Sequence, residues 1–310
     1  MLIKQNFFFD ALILYRAMKK FKLIQVWHFI MHLRLHYQFF ILSGGYLLSA
    51  LFVESVNWSQ YGFQFLNVHV LLFGGATAYN SYWDKDEGPI GGLKSPPKME
   101  SWMWIASMLF QLIGLVCAFS LGRTYVMIYT VSILFFWLYS SPVTRWKGRP
   151  LLSLIAIGVS TGSNSFLLGY LASGANTLGI VPGFAALGVA LIMLSLYPVS
   201  QVYQKEEDSQ RGDQTFVIRY GLLGIKRLYR LFFIGGVFLI SGSLYKMDSS
   251  LSILFFVLST ITFVIINQIL KKLKGNKVEY GTVMKIKFLT SLSFVLFILS
   301  CVLYKSIITD

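Results

Sequence analysis

Asn80, Asp84 and Glu87 stand at i, i+4 and i+7 in the run NSYWDKDEG. On a continuing helix these three share one face. An amide oxygen with two carboxylates is a hard-oxygen set suited to Mg²⁺, a cation that takes one or two carboxylates together with substrate phosphate oxygens. Gly88-Pro89 and Gly91-Gly92 break the helix behind them, and Lys94 and Lys98 follow, placed to meet phosphate charge. A solvated helix end closed by a Gly/Pro turn is the plainer account of the same residues, although acids at a helix C-terminus oppose the macrodipole. A second cluster, QVYQKEED, runs from Gln201 to Asp208 and continues as SQRGDQT. Here Gln201, Gln204 and Asp208 stand at i, i+3 and i+7, with Glu207 flanking that face and Glu206 pointing elsewhere. Three consecutive acids repel one another unless Lys205, Arg211 or a bound cation neutralises them. A charged interfacial loop is the plainer alternative for this cluster taken alone.

The elements that must position these groups are membrane helices. Of 310 residues, 55% are hydrophobic and 13% charged, against about 25% charged in an ordinary soluble domain. Mean hydropathy is +0.64. The apolar residues fall into nine runs, roughly 39–55, 62–80, 102–121, 124–141, 151–172, 179–200, 230–246, 250–270 and 287–305, each near the ~17–25 residues a bilayer requires. Strand-type alternation is absent, so helices must satisfy the backbone in lipid. The expected fold is therefore an all-α integral membrane protein with nine transmembrane helices. Both acidic clusters sit where a span ends, and unneutralised carboxylates there are costly.

Charge gives the orientation. Lys and Arg total 27. With the N-terminus inside and nine spans, only Arg123, Lys246 and Lys305 lie outside, so the inner face is strongly basic. The expected topology is a multi-pass protein of the inner or cytoplasmic membrane, N-terminus cytoplasmic and C-terminus outside. Both acidic clusters then lie on the cytoplasmic side. The net charge of +14 is accounted for by an anionic leaflet; no exposed basic domain with aromatic platforms argues for nucleic acid. Residues 1–33 hold Asp10 and then Arg16, Lys19, Lys20 and Lys22 after a short apolar stretch, the pattern of an interfacial amphipathic segment rather than a cleaved leader. Residues 34–310 form the membrane domain. Cys117 and Cys301 both fall in spans and lack CxxC spacing, which indicates neither a disulfide framework nor a zinc site. A weak echo relates the halves: spans two and six end in the acidic clusters, and spans four and eight end in basic loops.

These clusters resemble the motifs of the UbiA superfamily of intramembrane prenyltransferases. Asn80 and Asp84 match the first two positions of the pattern NxxxDxxxD; the third position falls on Gly88, with Asp86 or Glu87 as substitutes and Glu87 in the better helical phase. Gly212 and Thr215 set the register of the second motif, DxxxD, so that Asp208 matches its last acid, Gln204 replaces its first, and Glu206 matches an acid of some members. YSSPVTRWK, Tyr139 to Lys147, is similar to the family's Tyr-Ser-x-Pro segment with basic residues behind it, and Arg34 resembles the basic residue at the start of the first span.

The resemblance implies nine helices around a central cavity and transfer of a prenyl group from an isoprenyl diphosphate to an aromatic or other lipophilic acceptor. It implies Mg²⁺ held by Asn80, Asp84, Glu87, Gln204 and Asp208, diphosphate contacts from Arg145 and Lys147 with Lys94 and Arg34 assisting, and a site role for Tyr139. Aromatic faces attract cations. That makes Tyr79, Tyr82, Trp83, Tyr139 and Tyr203 candidates for holding an allylic cation, although most of the 27 Phe, 17 Tyr and 7 Trp must be packing or interface belt. A UbiA-like protein that binds or transports isoprenoid lipids with altered or lost catalysis is the alternative. His28, His32 and His36 recur at i+4 spacing, with His69 in span two; such a stripe suits a metal or haem, but its basic setting favours contact at the membrane surface.

Overall fold

The computed structural model describes residues 23–309, with side chains described over 23–304; most of the expected interfacial segment, residues 1–22, lies outside the described residues. Among the described residues the chain is helical, with one isolated bridge pairing Ile90 and Leu93. A first helix, α1 (Leu23–His32), buries Phe29 against Ala78 and Met103 while Leu23, Ile24 and Trp27 stay exposed. Its side chains thus dock it on the membrane domain through one face.

The helical runs that follow coincide with the nine apolar segments. They are α2 (35–52), α3 (58–84), α4 (Met103–Leu121), α5 (Arg123–Ser140), α6 (Pro150–Ala172) and α7 (Ile180–Gln201). After the short α8 (Lys205–Gln210) come α9 (Phe216–Tyr245), α10 (Ser249–Lys271) and α11 (Tyr280–Thr309). Among the described residues, six of these helices are long and apolar enough to cross a membrane, or seven if the pair Leu23–Leu42 and Gly44–Phe52, bent by 40°, counts as one span. The helix over 58–84 carries buried Gln64, Asn67 and His69, and α5 begins at Arg123 and holds several tyrosines. Those polar groups lower the hydropathy of two segments that are otherwise long enough.

The helices close into a ring. α2 packs on α3, α3 on α5, α5 on α6, α6 on α7, α7 on α9, α9 on α10, and α11 returns to α2; α4 lies outside α3. One buried apolar cluster runs through the ring from Tyr46 to Val302. Large apolar residues such as Val116, Met127, Leu231 and Ile253 point outward, as a lipid-facing surface requires. One close crossing is α7 on α9. A methyl on Gly188 would lie 3.0 Å from Gly236 O, and one on Gly236 would lie 2.7 Å from Gly188 O, so two glycines let the backbones meet.

Three helices loosen into wider π turns: Gln38–Leu42 in α2, Asn67–Gly74 in α3 and Gly158–Ser163 in α6. Such turns commonly mark functional sites. Each sends residues to one internal cavity: Ile41 and Leu42, Phe73, and Thr161.

Candidate active site

The connections 85–102, 141–149, 202–215 and 272–279 meet at one end of the ring. Gln214 N donates to Gly148 O at 2.9 Å, and Arg145 spans to Asp213. The three non-glycine residues with positive φ among the described residues, Arg34 (50°), Lys85 (51°) and Arg145 (41°), all lie at this mouth. Residues held in the left-handed region cost of order 1–3 kcal/mol and cluster where surrounding structure fixes them for a purpose.

Lys85 ends α3 by adopting that conformation, so the helix stops at Asp84. Asn80 and Asp84 share the inward face and line the cavity, as their spacing predicts. Glu87 does not: the expected continuation of the helix fails, Glu87 is exposed, and Asp86 lines the cavity instead. Lys94 likewise is exposed and stands off the cavity wall, because the segment after Gly92 turns away. In the second cluster α7 ends at Gln201, whose Oε1 accepts from Val217 N at 3.2 Å and so serves the start of α9. Gln204 lines the cavity. Asp208, 4% exposed, lies behind the wall and is reached through Arg211.

The charges form one network. Lys147 Nζ is 2.6 Å from Asp84 Oδ2, and Arg145 NH1 is 3.7 Å from Asp84 Oδ1. Arg145 grips Asp213 with two bonds, Nε to Oδ1 at 2.7 Å and NH2 to Oδ2 at 2.8 Å. Arg211 joins both acidic clusters: NH1 donates to Asp86 Oδ1 at 2.5 Å and to the Asp84 carbonyl at 3.0 Å, while NH2 donates to Asp208 Oδ1 at 3.0 Å. The two clusters that the sequence sets about 120 residues apart therefore share one guanidinium.

Burial and pairing set the protonation states. Burial pulls the Lys147 ammonium down, but Asp84, Asp86 and Asp208 outweigh it and raise it above the ordinary lysine value. The Asp213 hydrogen bonds raise Arg145. Arg211 is opposed by burial and raised by Asp86 and Asp84. Burial pushes the Asp208 carboxyl above the usual carboxylate value, against the pull of Lys147 and Arg211. All three bases are held as cations, which suits them to anion binding rather than proton transfer.

The cavity has a volume of about 200 Å³ and opens to solvent. Besides Asn80, Asp84, Asp86 and Gln204, its wall carries Arg34 and Lys147. Arg34 NH2 donates to Ser81 Oγ at 2.6 Å. Tyr139 faces the cavity and shares a 3.0 Å hydroxyl hydrogen bond with Tyr197. Tyr203 also lines it, whereas Tyr79, Tyr82 and Trp83 pack among themselves and with Trp104 and Trp137 behind the wall. A second, apolar cavity of about 220 Å³ adjoins it, sharing Ile41, Met193, Leu196 and Ser291, and runs between α7, α9, α10 and α11 past Phe233, Phe255 and Phe297.

Among the described residues no three His, Cys, Asp or Glu side chains converge as a ready-made metal set. The donors present still fit Mg²⁺, which needs only one or two carboxylates beside substrate oxygens. Asp84 Oδ1 is buried without a hydrogen-bond partner, and the amides of Asn80 and Gln204 share its cavity. Two histidines of the stripe, and His69 in α3, bond backbone carbonyls: His32 Nε2 lies 2.7 Å from Pro97 O, His36 Nε2 2.9 Å from Gly92 O, and His69 Nδ1 2.8 Å from Phe65 O. Asp213, Arg211 and Asp86 are the residues that sequence reasoning passed over or left in second place. Arg145 and Asp213 are 68 positions apart, so nothing local marks them as partners.

Known proteins share this fold. The model of the UbiA prenyltransferase family matches residues 39–292. A UbiA homolog from Archaeoglobus fulgidus bound to GPP and Mg²⁺ superposes with TM-score 0.69 at 16% identity, over 89% of this chain and 99% of that one. The same homolog bound to Cd²⁺ gives TM-score 0.64 at 17% identity, over 87% and 97%. A digeranylgeranylglyceryl phosphate synthase structure gives 0.53 at 18% identity, over 90% and 99%. No curated protein sequence matches the chain.

Proposed function

Because the chain belongs to the UbiA prenyltransferase family, we propose that it is a multi-pass membrane enzyme that moves an isoprenyl group from an isoprenyl diphosphate to a lipophilic acceptor. The observation that carries this reading is the junction of the two acidic clusters through Arg211, with Lys147 bonded to Asp84 on the cavity wall. The Archaeoglobus homolog is described with GPP or DMAPP and Mg²⁺, which supports the same substrate class here.

The diphosphate would occupy the polar cavity. Lys147 and Arg145 now neutralise Asp84; an arriving diphosphate gives Lys147 a second anion and frees Asp84 for a cation. Mg²⁺ bound by Asn80, Asp84, Asp86, Gln204 and Asp208 would withdraw charge from the leaving group. Asp86 takes the place expected for Glu87, since it faces the cavity. Arg211, now shared by Asp86 and Asp208, adds positive charge beside the mouth, and its turning to the diphosphate would release both carboxylates to the cation. Lys147, raised by its acids, keeps its proton throughout and contributes charge alone. Heterolysis of the allylic C–O bond then leaves the diphosphate with the electron pair. The allylic cation faces Tyr139, Tyr197, Phe73 and Phe136 on the wall, whose ring faces attract it. The prenyl tail lies in the apolar cavity, and its phenylalanines exclude water that would otherwise capture the cation.

On this reading nine helices span the membrane, with the mouth on the cytoplasmic side that the Lys/Arg distribution favours. The test is mass spectrometry of lipid products after expression with a panel of prenyl diphosphates and aromatic or other lipophilic acceptors. A prenylated product that requires Asp84 supports the reading; flux of isoprenoid across vesicles with no product would replace it by the binder or transporter.

A further inference from the structure

Gly88 occupies the position where the first motif calls for its third acid, yet a carboxylate fills that space. Gly88 N donates to Glu207 Oε1 at 2.8 Å. A methyl built on Gly88 would stand 2.7 Å from Glu207 Oε1 and 3.1 Å from its Cδ and Oε2. A side chain at 88 and the Glu207 carboxylate thus compete for one volume. Glu207 enters it from α8, on the far side of the mouth. Its side chain is 14% exposed, and Lys277 Nζ lies 3.9 Å from Oε1. One carboxylate therefore ties together the connections 85–102, 202–215 and 272–279. On either side of Gly88 the backbone is already turned, by Lys85 at φ 51° and Gly92 at φ 87°, so the contact fixes a loop rather than extends a helix.

We propose that Glu207 is a clasp that locks the first acidic cluster to the second: its carboxylate, entering from the opposite loop, fills the space a side chain at 88 would need. It acts as a positioning residue. By clasping the Gly88 amide it holds the 85–93 loop against α8, which keeps Asp86 on the cavity wall and within reach of Arg211. The clasp stands on this geometry, and only its kinetic consequence rests on the prenyltransferase reading.

The shared contact predicts non-additivity. Gly88→Asp in the presence of Glu207 places two carboxylates in one space, and like charges so close repel. Restoring the motif should therefore harm the protein instead of improving it. Glu207→Gly removes the tie between the loop and α8. The double variant Gly88→Asp/Glu207→Gly lacks that tie too but carries no clash. The measurement compares the four proteins in nanodiscs without substrate, by the rate of trypsin cleavage at Lys85, Lys94 and Lys98. Each single variant should be cut about tenfold faster or more, the scale of losing one charge-assisted hydrogen bond, and the double variant should be cut within about threefold of Glu207→Gly, because one lost contact accounts for both. In the kinetic arm, each single variant should raise KM for an isoprenyl diphosphate more than it lowers kcat, with the double no worse than Glu207→Gly. Gly88→Asp that is as protected and as active as wild type, or more so, overturns the proposal. So does a double variant in which the two single effects on proteolysis multiply. A wild-type protein that transfers no prenyl group counts against the function proposed above, while the proteolysis still decides the clasp.

Discussion

The Lys147 ammonium lies 2.6 Å from Asp84 with 9% of its side chain exposed. Breaking a buried pair by removing one partner typically costs ~3–5 kcal/mol, because the other charge is stranded. Lys147→Met should therefore lower the melting temperature of the ligand-free protein by several degrees and raise KM for the diphosphate at least tenfold, read by differential scanning fluorimetry and by steady-state kinetics. Asp208 sets the pH dependence. Burial raises its carboxyl, so its neutral form favours the fold below the ordinary carboxylate value, and that contribution is lost as pH rises through the raised one. If Asp208 holds the cation as proposed, activity needs its ionised form, and the acid limb of kcat/KM should lie above the ~3.9 of a free aspartate. Removing Lys147, one of its two opposing cations, should move that limb further up; a limb unmoved in Lys147→Met would separate Asp208 from the chemistry. The cavity-wall positions of Asn80, Asp84, Lys147, Tyr139 and Gln204 were legible from motif spacing because each lies on, or just beyond, a helix whose phase holds. Glu87 and Lys94 were not, because a left-handed Lys85 stops α3 at Asp84, a break that no glycine or proline at that position announces.

At the scale of elements, the apolar runs foretold where the helices lie but not how they bend. The π turns in α2, α3 and α6 arise in stretches such as GVSTGS that read simply as apolar or small. Ile41, Leu42, Phe73 and Thr161 from these turns line the cavity, so the sequence places the walls and the helix bends decide which residues face the space. The α7–α9 crossing is sensitive to a single methyl group. Gly188 and Gly236 meet backbone to backbone, and overpacking a tight contact costs ~1–3 kcal/mol. Gly236→Val should destabilise the protein by about that amount and push apart two helices that line the apolar cavity. Its effect should be larger with long prenyl diphosphates than with short ones, measured as the ratio of kcat/KM between them. Gly235, beside it, meets only Leu191 at 3.4 Å, and Gly235→Ala should leave that ratio unchanged.

For the whole molecule, the ring joins a polar mouth to an apolar chamber through Ile41, Met193, Leu196 and Ser291. A substrate with an anionic head and a hydrocarbon tail fits that order of surfaces. Ser291→Phe should narrow the passage, retaining transfer of a five-carbon group while losing that of a twenty-carbon one; equal loss of both in product mass spectra would put the tail elsewhere. The central claim is that Asp84 and Asp208, brought to one mouth by Arg211, act together on a single diphosphate through a divalent cation. It is tested most directly by diphosphate release from an isoprenyl diphosphate by protein in nanodiscs, with Mg²⁺ and after chelation, for wild type, Asp84→Asn and Asp208→Asn. Wild type should release diphosphate only with the metal, and each variant should fall by roughly 10²-fold or more, the scale of losing one charge-stabilising group. Release that survives chelation, or a variant turning over near the wild-type rate, would contradict the account.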